Sequence, residues 1–277
     1  MALSTLGELS ASTYGGATLE EAVGVFVAAG VRHVEIAIGP RWSPATRDAL
    51  RGWARDGVSF SGHHAFPLET RGGPFDLCER WSPSDLSARL DLLAELGATR
   101  YSVHAGGYSD GDHAAALVRF VEGFLVLREL AASRGVTLGI ETMYPLRHGP
   151  RRYLAANLTS VRELAGALPG VPWVLDLAHV GLWGNDARVP ALTALRALPL
   201  LEVHVSDNDG RSDTHAPIRE DTWWLEHSAG LGEGVPWVLE SRMVRRGATA
   251  VSVELARVRA LDPVRLLHRR RAARATT

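Results

Sequence analysis

The chain alternates short β-branched runs with longer amphipathic stretches, the pattern of a parallel sheet covered by helices. A first strand is expected within residues 3–10. Thr18 and Glu21 form a capping box that opens a helix, and Gly30 closes it. The strand VRHVEIAI follows from Val31. Ser43-Pro44 and Ser82-Pro83 each set a capping serine before a proline at the first helical position. They predict helices over 44–56 and 83–96, with the strand VSFSGHH between them. Downstream the pattern predicts strands at 99–104, 136–141, 172–176, 200–206 and 249–254. Helices are expected at 112–134, 158–168, 188–198 and 235–246, and a last one from about 261. That is an α/β chain of eight strand–helix units, a (β/α)8 TIM barrel in one domain spanning 1–277, a length that suits the fold.

The strand-like runs share a chemical feature. Seven of them end in an acid or a histidine: Glu35, His63-His64, His104, Glu141, Asp176, His204 with Asp207, and Glu254. Buried charge is costly unless paired or metal-bound, and in a barrel the C-terminal strand ends converge on one mouth. Hard oxygens plus an imidazole suit a divalent ion such as manganese, cobalt, magnesium or zinc. Glu141, Asp176, His204 and Glu254, at successive strand ends, are the expected ligand set.

Other residues extend this mouth. His179 lies one turn beyond Asp176 and suits substrate or a further metal. Asp207 is expected to orient a ligand from behind, and Asp213 and His215 form a second acid/imidazole pair. Only one of the adjacent His63 and His64 can point inward from a regular strand, and His64 is chosen. His104 precedes two glycines that allow close backbone approach. Glu35 also points inward, either behind the ligands or in a structural salt bridge. The polar segment 207–234, with Trp223 and Trp224, is long for a connection and is read as an active-site loop. The arginine-rich tail, residues 268–277, is expected to be disordered.

Composition narrows the functions. All 30 Lys+Arg residues are arginine, which excludes a Schiff-base lysine and a P-loop lysine. A net charge of −1 gives no electrostatic case for nucleic acid. No run of about 20 apolar residues exists to span a membrane. Neither a signal peptide nor a disulfide framework is seen, the one cysteine being Cys78, so a cytoplasmic setting is expected.

Together VEI (34–36), HHAF (63–66), VHAGG (103–107), GIE (139–141), LDLAH (175–179), HVSDNDGR (204–211), DTH (213–215), LGEG (231–234) and VE (253–254) make the chain resemble the xylose isomerase-like TIM-barrel superfamily. That superfamily contains sugar isomerases, epimerases and dehydratases together with endonuclease IV. Resemblance to its epimerase branch implies one metal on Glu141, Asp176, His204 and Glu254, with the two glutamates as acid and base. His179 and Arg211 would then hold substrate oxygens, although Arg211 lies one residue off the usual spacing. Endonuclease IV resemblance implies instead three zinc ions on His64, His104, Glu141, Asp176, His179, His204, Asp213, His215 and Glu254, and two or three zinc or iron ions are the matching cofactor alternative. Against DNA repair stand the absent basic surplus, Phe66-Pro67-Leu68-Glu69 in place of a duplex wedge, and the insertion between DTH and LGEG.

The expected activity is isomerisation or epimerisation of a sugar or other polyhydroxy carbonyl compound through an enediolate. A dehydratase or lyase on a sugar-like or natural-product substrate is the neighbouring alternative, and a trinuclear phosphodiesterase the more distant one. The expected partner is a small molecule, and the superfamily's habit implies a homo-oligomer.

Overall fold

A computed structural model describes residues 9–13, 18–37, 44–64, 76–79, 81–228, 230–232 and 234–260. Eight parallel strands close into a barrel, each covered by helical structure: β1 (Leu9–Ser12), β2 (His33–Ile36), β3 (Ser59–His63), β4 (Arg100–His104), β6 (Thr137–Glu141), β8 (Trp173–Asp176), β9 (Leu200–Val205) and β10 (Trp237–Leu239). Their order around the barrel is β1-β10-β9-β8-β6-β4-β3-β2. The helices are α1 (Leu19–Ala28), α2 (Pro44–Arg55), α3 (Pro83–Glu95), α4 (His113–Ala132), α5 (Leu158–Ala167), α6 (Leu177–Gly181), α7 (Asn185–Leu195) and α8 (Gly247–Ala260). The two caps that can be checked form as expected. Thr18 accepts the Glu21 amide at 3.1 Å, and Ser82 accepts that of Asp85 at 3.2 Å ahead of Pro83.

A small antiparallel ribbon, β5 (Gly107–Ser109) with β7 (Arg151–Tyr153), sits beyond the strand ends of β4 and β6. It was not legible as strand because each arm is only three residues long. Arg151 fastens it, reaching Asp76 at 2.8 Å and Glu79 at 3.3 Å.

The last unit departs from expectation. Residues 249–254 are not a strand; they lie inside α8, where Val251, Glu254, Leu255 and Val258 form one buried helical face. The alternation Val251-Ser252-Val253 imitates a strand, yet Val253 is half exposed because it falls on the outer side of the helix. The eighth strand comes earlier, from the run Pro236-Trp237-Val238-Leu239 inside the expected helix 235–246. A parallel strand buried on both faces reads as continuous apolar sequence rather than alternation, and all three residues of β10 are buried. At the other end, the described part of β1 (Leu9–Ser12) runs past the expected 3–10. The expected helix from 261, the tail 268–277 and the Ser43 cap lie outside the described residues.

Candidate metal centre

Four consecutive barrel strands deliver one ligand-type side chain each. Glu141 ends β6, Asp176 ends β8, His204 lies near the end of β9, and Glu240 immediately follows β10. Register sets their level: Asp176 pairs with His204, and Leu239 pairs with Val205. One ligand atom from each lies within 4.8 Å of all the others. Glu141 Oε1, Asp176 Oδ2, His204 Nδ1 and Glu240 Oε1 are all buried and have no hydrogen-bond partner. Buried polar atoms are nearly always satisfied, so four unsatisfied ones gathered this closely fit a cation. Asp176 divides its labour: Oδ1 caps α6 by accepting the His179 amide at 2.8 Å, which leaves Oδ2 for the cluster.

A second group adjoins the first through the other oxygen of Glu141. His63 Nε2 lies 3.0 Å and His104 Nε2 3.2 Å from Glu141 Oε2, and the two nitrogens are 3.4 Å apart. His64 is not the inward member of its pair. β3 ends at His63, whose ring enters the cluster. The backbone then turns at φ 29°, and the His64 ring stacks on His104 with centroids 4.2 Å apart.

The 207–234 segment brings in Asp213 and His215. Asp213 Oδ2 is 2.8 Å from His215 Nε2 and 3.4 Å from His179 Nε2. His179 Nδ1 lies 2.8 Å from the Thr142 carbonyl, which places its proton there and leaves Nε2 facing Asp213. His215, like His64, has positive φ, at 46°. Such backbone is uncommon outside glycine and gathers at functional sites. The segment is anchored from below. Trp224 is fully buried and donates to the Ser206 carbonyl at 2.9 Å, while Asp207 accepts Thr222 Oγ1 at 2.8 Å.

The electrostatics follow from burial set against mixed charge. Burial opposes charge on His63, but Glu141, Glu35 and Glu240 outweigh it and hold its pKa up to about 9. His104 goes the other way, to about 4, because burial dominates over the pull of Glu141. Asp176 is raised to about 7 by burial. Glu240, equally buried, is held at about 2, chiefly by His204. The same kinds of group are driven apart, as at sites that bind metals or move protons.

The expected ligands Glu141, Asp176 and His204 are thus brought together, and His104, His179, Asp213 and His215 surround them. Glu254 is not among them. It lies in the middle of α8, and its Oε1 accepts the Ile218 amide and the Ser241 hydroxyl, each at 2.6 Å. Arg211 is exposed on the loop after β9. Glu240 takes the place assigned to Glu254, and a signal for it was available. VPWVLD, residues 171–176, recurs as VPWVLE at 235–240, with the same buried tryptophan and the same terminal acid.

Comparison with known proteins agrees with this layout. A profile described as xylose isomerase-like TIM barrel matches residues 23–272. A D-tagatose 3-epimerase-like protein superposes with a TM-score of 0.73 at 16% identity, covering 94% of this chain and 99% of that one. An AP endonuclease, family 2, from Brucella melitensis gives 0.64 at 16% identity, over 90% and 97%. A Thermus thermophilus protein soaked with ZnCl2 gives 0.59 at 22% identity, again over 90% and 97%. No curated protein matches the sequence. The profile spans nearly the whole chain, and the protein belongs to the xylose isomerase-like TIM-barrel family.

Proposed function

We propose that the protein is a divalent-metal-dependent isomerase or epimerase acting on a sugar or other polyhydroxy carbonyl compound. The observation that carries this reading is the ring of four unsatisfied ligand atoms on β6, β8, β9 and the residue after β10, two of them from glutamates. A divalent ion held by Glu141, Asp176, His204 and Glu240 would act as a Lewis acid on vicinal substrate oxygens.

The chain's own residues then do the proton chemistry. Glu141 and Glu240 are both held below the usual carboxylate range, so each is ionised at neutral pH and able to accept a proton. One withdraws the proton from the carbon beside the carbonyl, giving an enediolate. For isomerisation the same glutamate passes that proton to the neighbouring carbon. For epimerisation the other takes a proton from solvent or a substrate hydroxyl and delivers it to the opposite face, while the first gives up its own to solvent. His179, with Nε2 facing the mouth, holds a substrate oxygen. The superposition with a D-tagatose 3-epimerase-like protein supports the substrate class. The test is solvent deuterium incorporation at the carbon beside the carbonyl across a panel of ketoses and aldoses. Incorporation that disappears in Glu141→Gln and Glu240→Gln is expected; a panel with no exchange in metal-loaded protein would overturn the proposal.

A multinuclear centre is favoured by a separate observation. His63, His104, His179, Asp213 and His215 crowd the same mouth. The buried interior also holds Glu35, Glu141, Asp176, Glu202 and Glu240. More than one divalent ion would balance that charge more fully. The superposition with an AP endonuclease supports phosphodiester hydrolysis as the accompanying chemistry. Metal stoichiometry separates the readings: one ion per chain favours the first, and two or three zinc or iron ions with cleavage of an abasic-site duplex favour the second.

A further inference from the structure

Below the metal cluster the barrel interior is charged where such barrels are usually filled by Val, Ile and Leu. Glu35 on β2 and Glu202 on β9 are both wholly buried. His204 stands between two pairs of carboxylates. On its Nδ1 side are Glu240 Oε1 at 3.4 Å and Glu141 Oε1 at 3.7 Å. On its Nε2 side are Glu35 Oε2 at 3.3 Å and Glu202 Oε1 at 3.5 Å.

The two deep acids are not equivalent. Glu202 has a second partner, Arg100 Nε at 3.4 Å from its Oε2, and Arg100 Nη2 lies 3.0 Å from His33 Nε2. His33 in turn meets Ser59 at 2.8 Å and Ser61 at 3.0 Å, which ties Glu202 to the floor of the barrel. The oxygens of both acids and His204 Nε2 all lack a hydrogen bond, so what separates the acids is the arginine. Among the described residues the one basic atom within ion-pair distance of Glu35 is His204 Nε2, with His63 the next histidine in its group. A neutral imidazole carries one proton, and a metal must take the nitrogen that lacks it. An uncompensated glutamate in a barrel core is costly, so its retention calls for a donor.

We infer that Glu35 is a positioning residue: it receives the Nε2 proton of His204 and so presents the Nδ1 lone pair to the ion. Glu202, committed to Arg100, steadies the ring from the other side. The inference rests on the metal reading of the four-residue cluster and adds what sets its histidine.

The test uses zinc as the probe, with affinity measured by chelator competition on the full chain. Glu35→Leu removes the acceptor and keeps an apolar side chain suited to a barrel core. It is expected to lower zinc affinity about 10- to 100-fold. Glu35→Gln keeps a carbonyl acceptor for the same proton and is expected to recover most of that loss, which restored packing alone would not explain. Histidine nitrogen NMR on zinc-loaded wild-type protein gives a readout independent of any variant's folding, and the His204 proton is expected on Nε2. A folded Glu35→Leu with wild-type affinity, or a His204 proton on Nδ1, would overturn the inference while leaving the metal centre intact. Wild-type protein that binds no zinc, manganese, cobalt or magnesium would overturn the metal reading and this inference with it.

Discussion

Glu240 and Glu254 are both buried glutamates in the last strand–helix unit, and their surroundings are opposite. Glu240 follows a strand, faces His204 and keeps Oε1 without a hydrogen bond, among three other such atoms. Glu254 sits on a helix, and its Oε1 takes two donors that tie α8 to the 207–234 segment and to the end of β10; its Oε2 also lacks a hydrogen bond but belongs to no such cluster among the described residues. Burial raises the Glu254 carboxyl, whereas the histidine beside Glu240 brings that group down to about 2 against its own desolvation. Burial and residue type therefore do not identify a ligand. What distinguishes one is an acceptor left unsatisfied toward other acceptors, an arrangement that only a cation or protons can relieve.

This comparison can be broken most sharply by swapping losses. Glu240→Gln is expected to lower turnover on any substrate by at least ~10³-fold and to weaken metal binding, because it removes both a ligand and an acid/base group. Glu254→Gln is expected to keep metal stoichiometry and to cost on the order of 1–3 kcal/mol in stability, read from denaturant midpoints, since it disturbs buried hydrogen bonds. A smaller contrast separates the two neighbouring histidines. His63→Ala is expected to reduce metal content or affinity clearly more than His64→Ala, since His63 contacts Glu141 directly while His64 reaches the cluster by stacking on His104.

The smallest effect is one of pH. In metal-free protein the folded-state pKa of His63 is about 9, above its ordinary 6.5. Its stabilising contribution is therefore complete below pH 6.5 and lost as pH rises through about 9. Asp176, raised from 3.8 to about 7, contributes in the same direction between those values. Metal-free protein should accordingly lose melting temperature between pH 6.5 and 9. Metal binding releases these protons, so the metal-induced rise in melting temperature should grow over the same interval. A metal-induced shift independent of pH would show that His63 and Asp176 stay clear of the ion.

Much of the fold was legible because the amphipathic periods and caps agree, as at Thr18 and Ser82. Strand ends located Glu141, Asp176 and His204 because an acid or imidazole after a buried apolar run is conspicuous. The failure at the C-terminal end has one cause. Periodicity separates alternating strands from helices, but a doubly buried three-residue strand has no alternation to show, and α8 happens to alternate over Val251-Ser252-Val253. The repeat of VPWVLD as VPWVLE carried the missing information. The choice of His64 over His63 depended on where β3 ends, a single-residue matter that sequence does not fix. Glu202 was overlooked because it sits in the middle of a strand, two residues before His204 rather than at the end.

Metal content per chain, measured by mass spectrometry on wild-type, Glu240→Gln and Glu254→Gln proteins purified without added metal, tests the central claim most directly. The account predicts at least one divalent ion per chain in wild type and Glu254→Gln, with loss in Glu240→Gln. Metal retained in Glu240→Gln and lost in Glu254→Gln, or absent from all three even after loading, would contradict it.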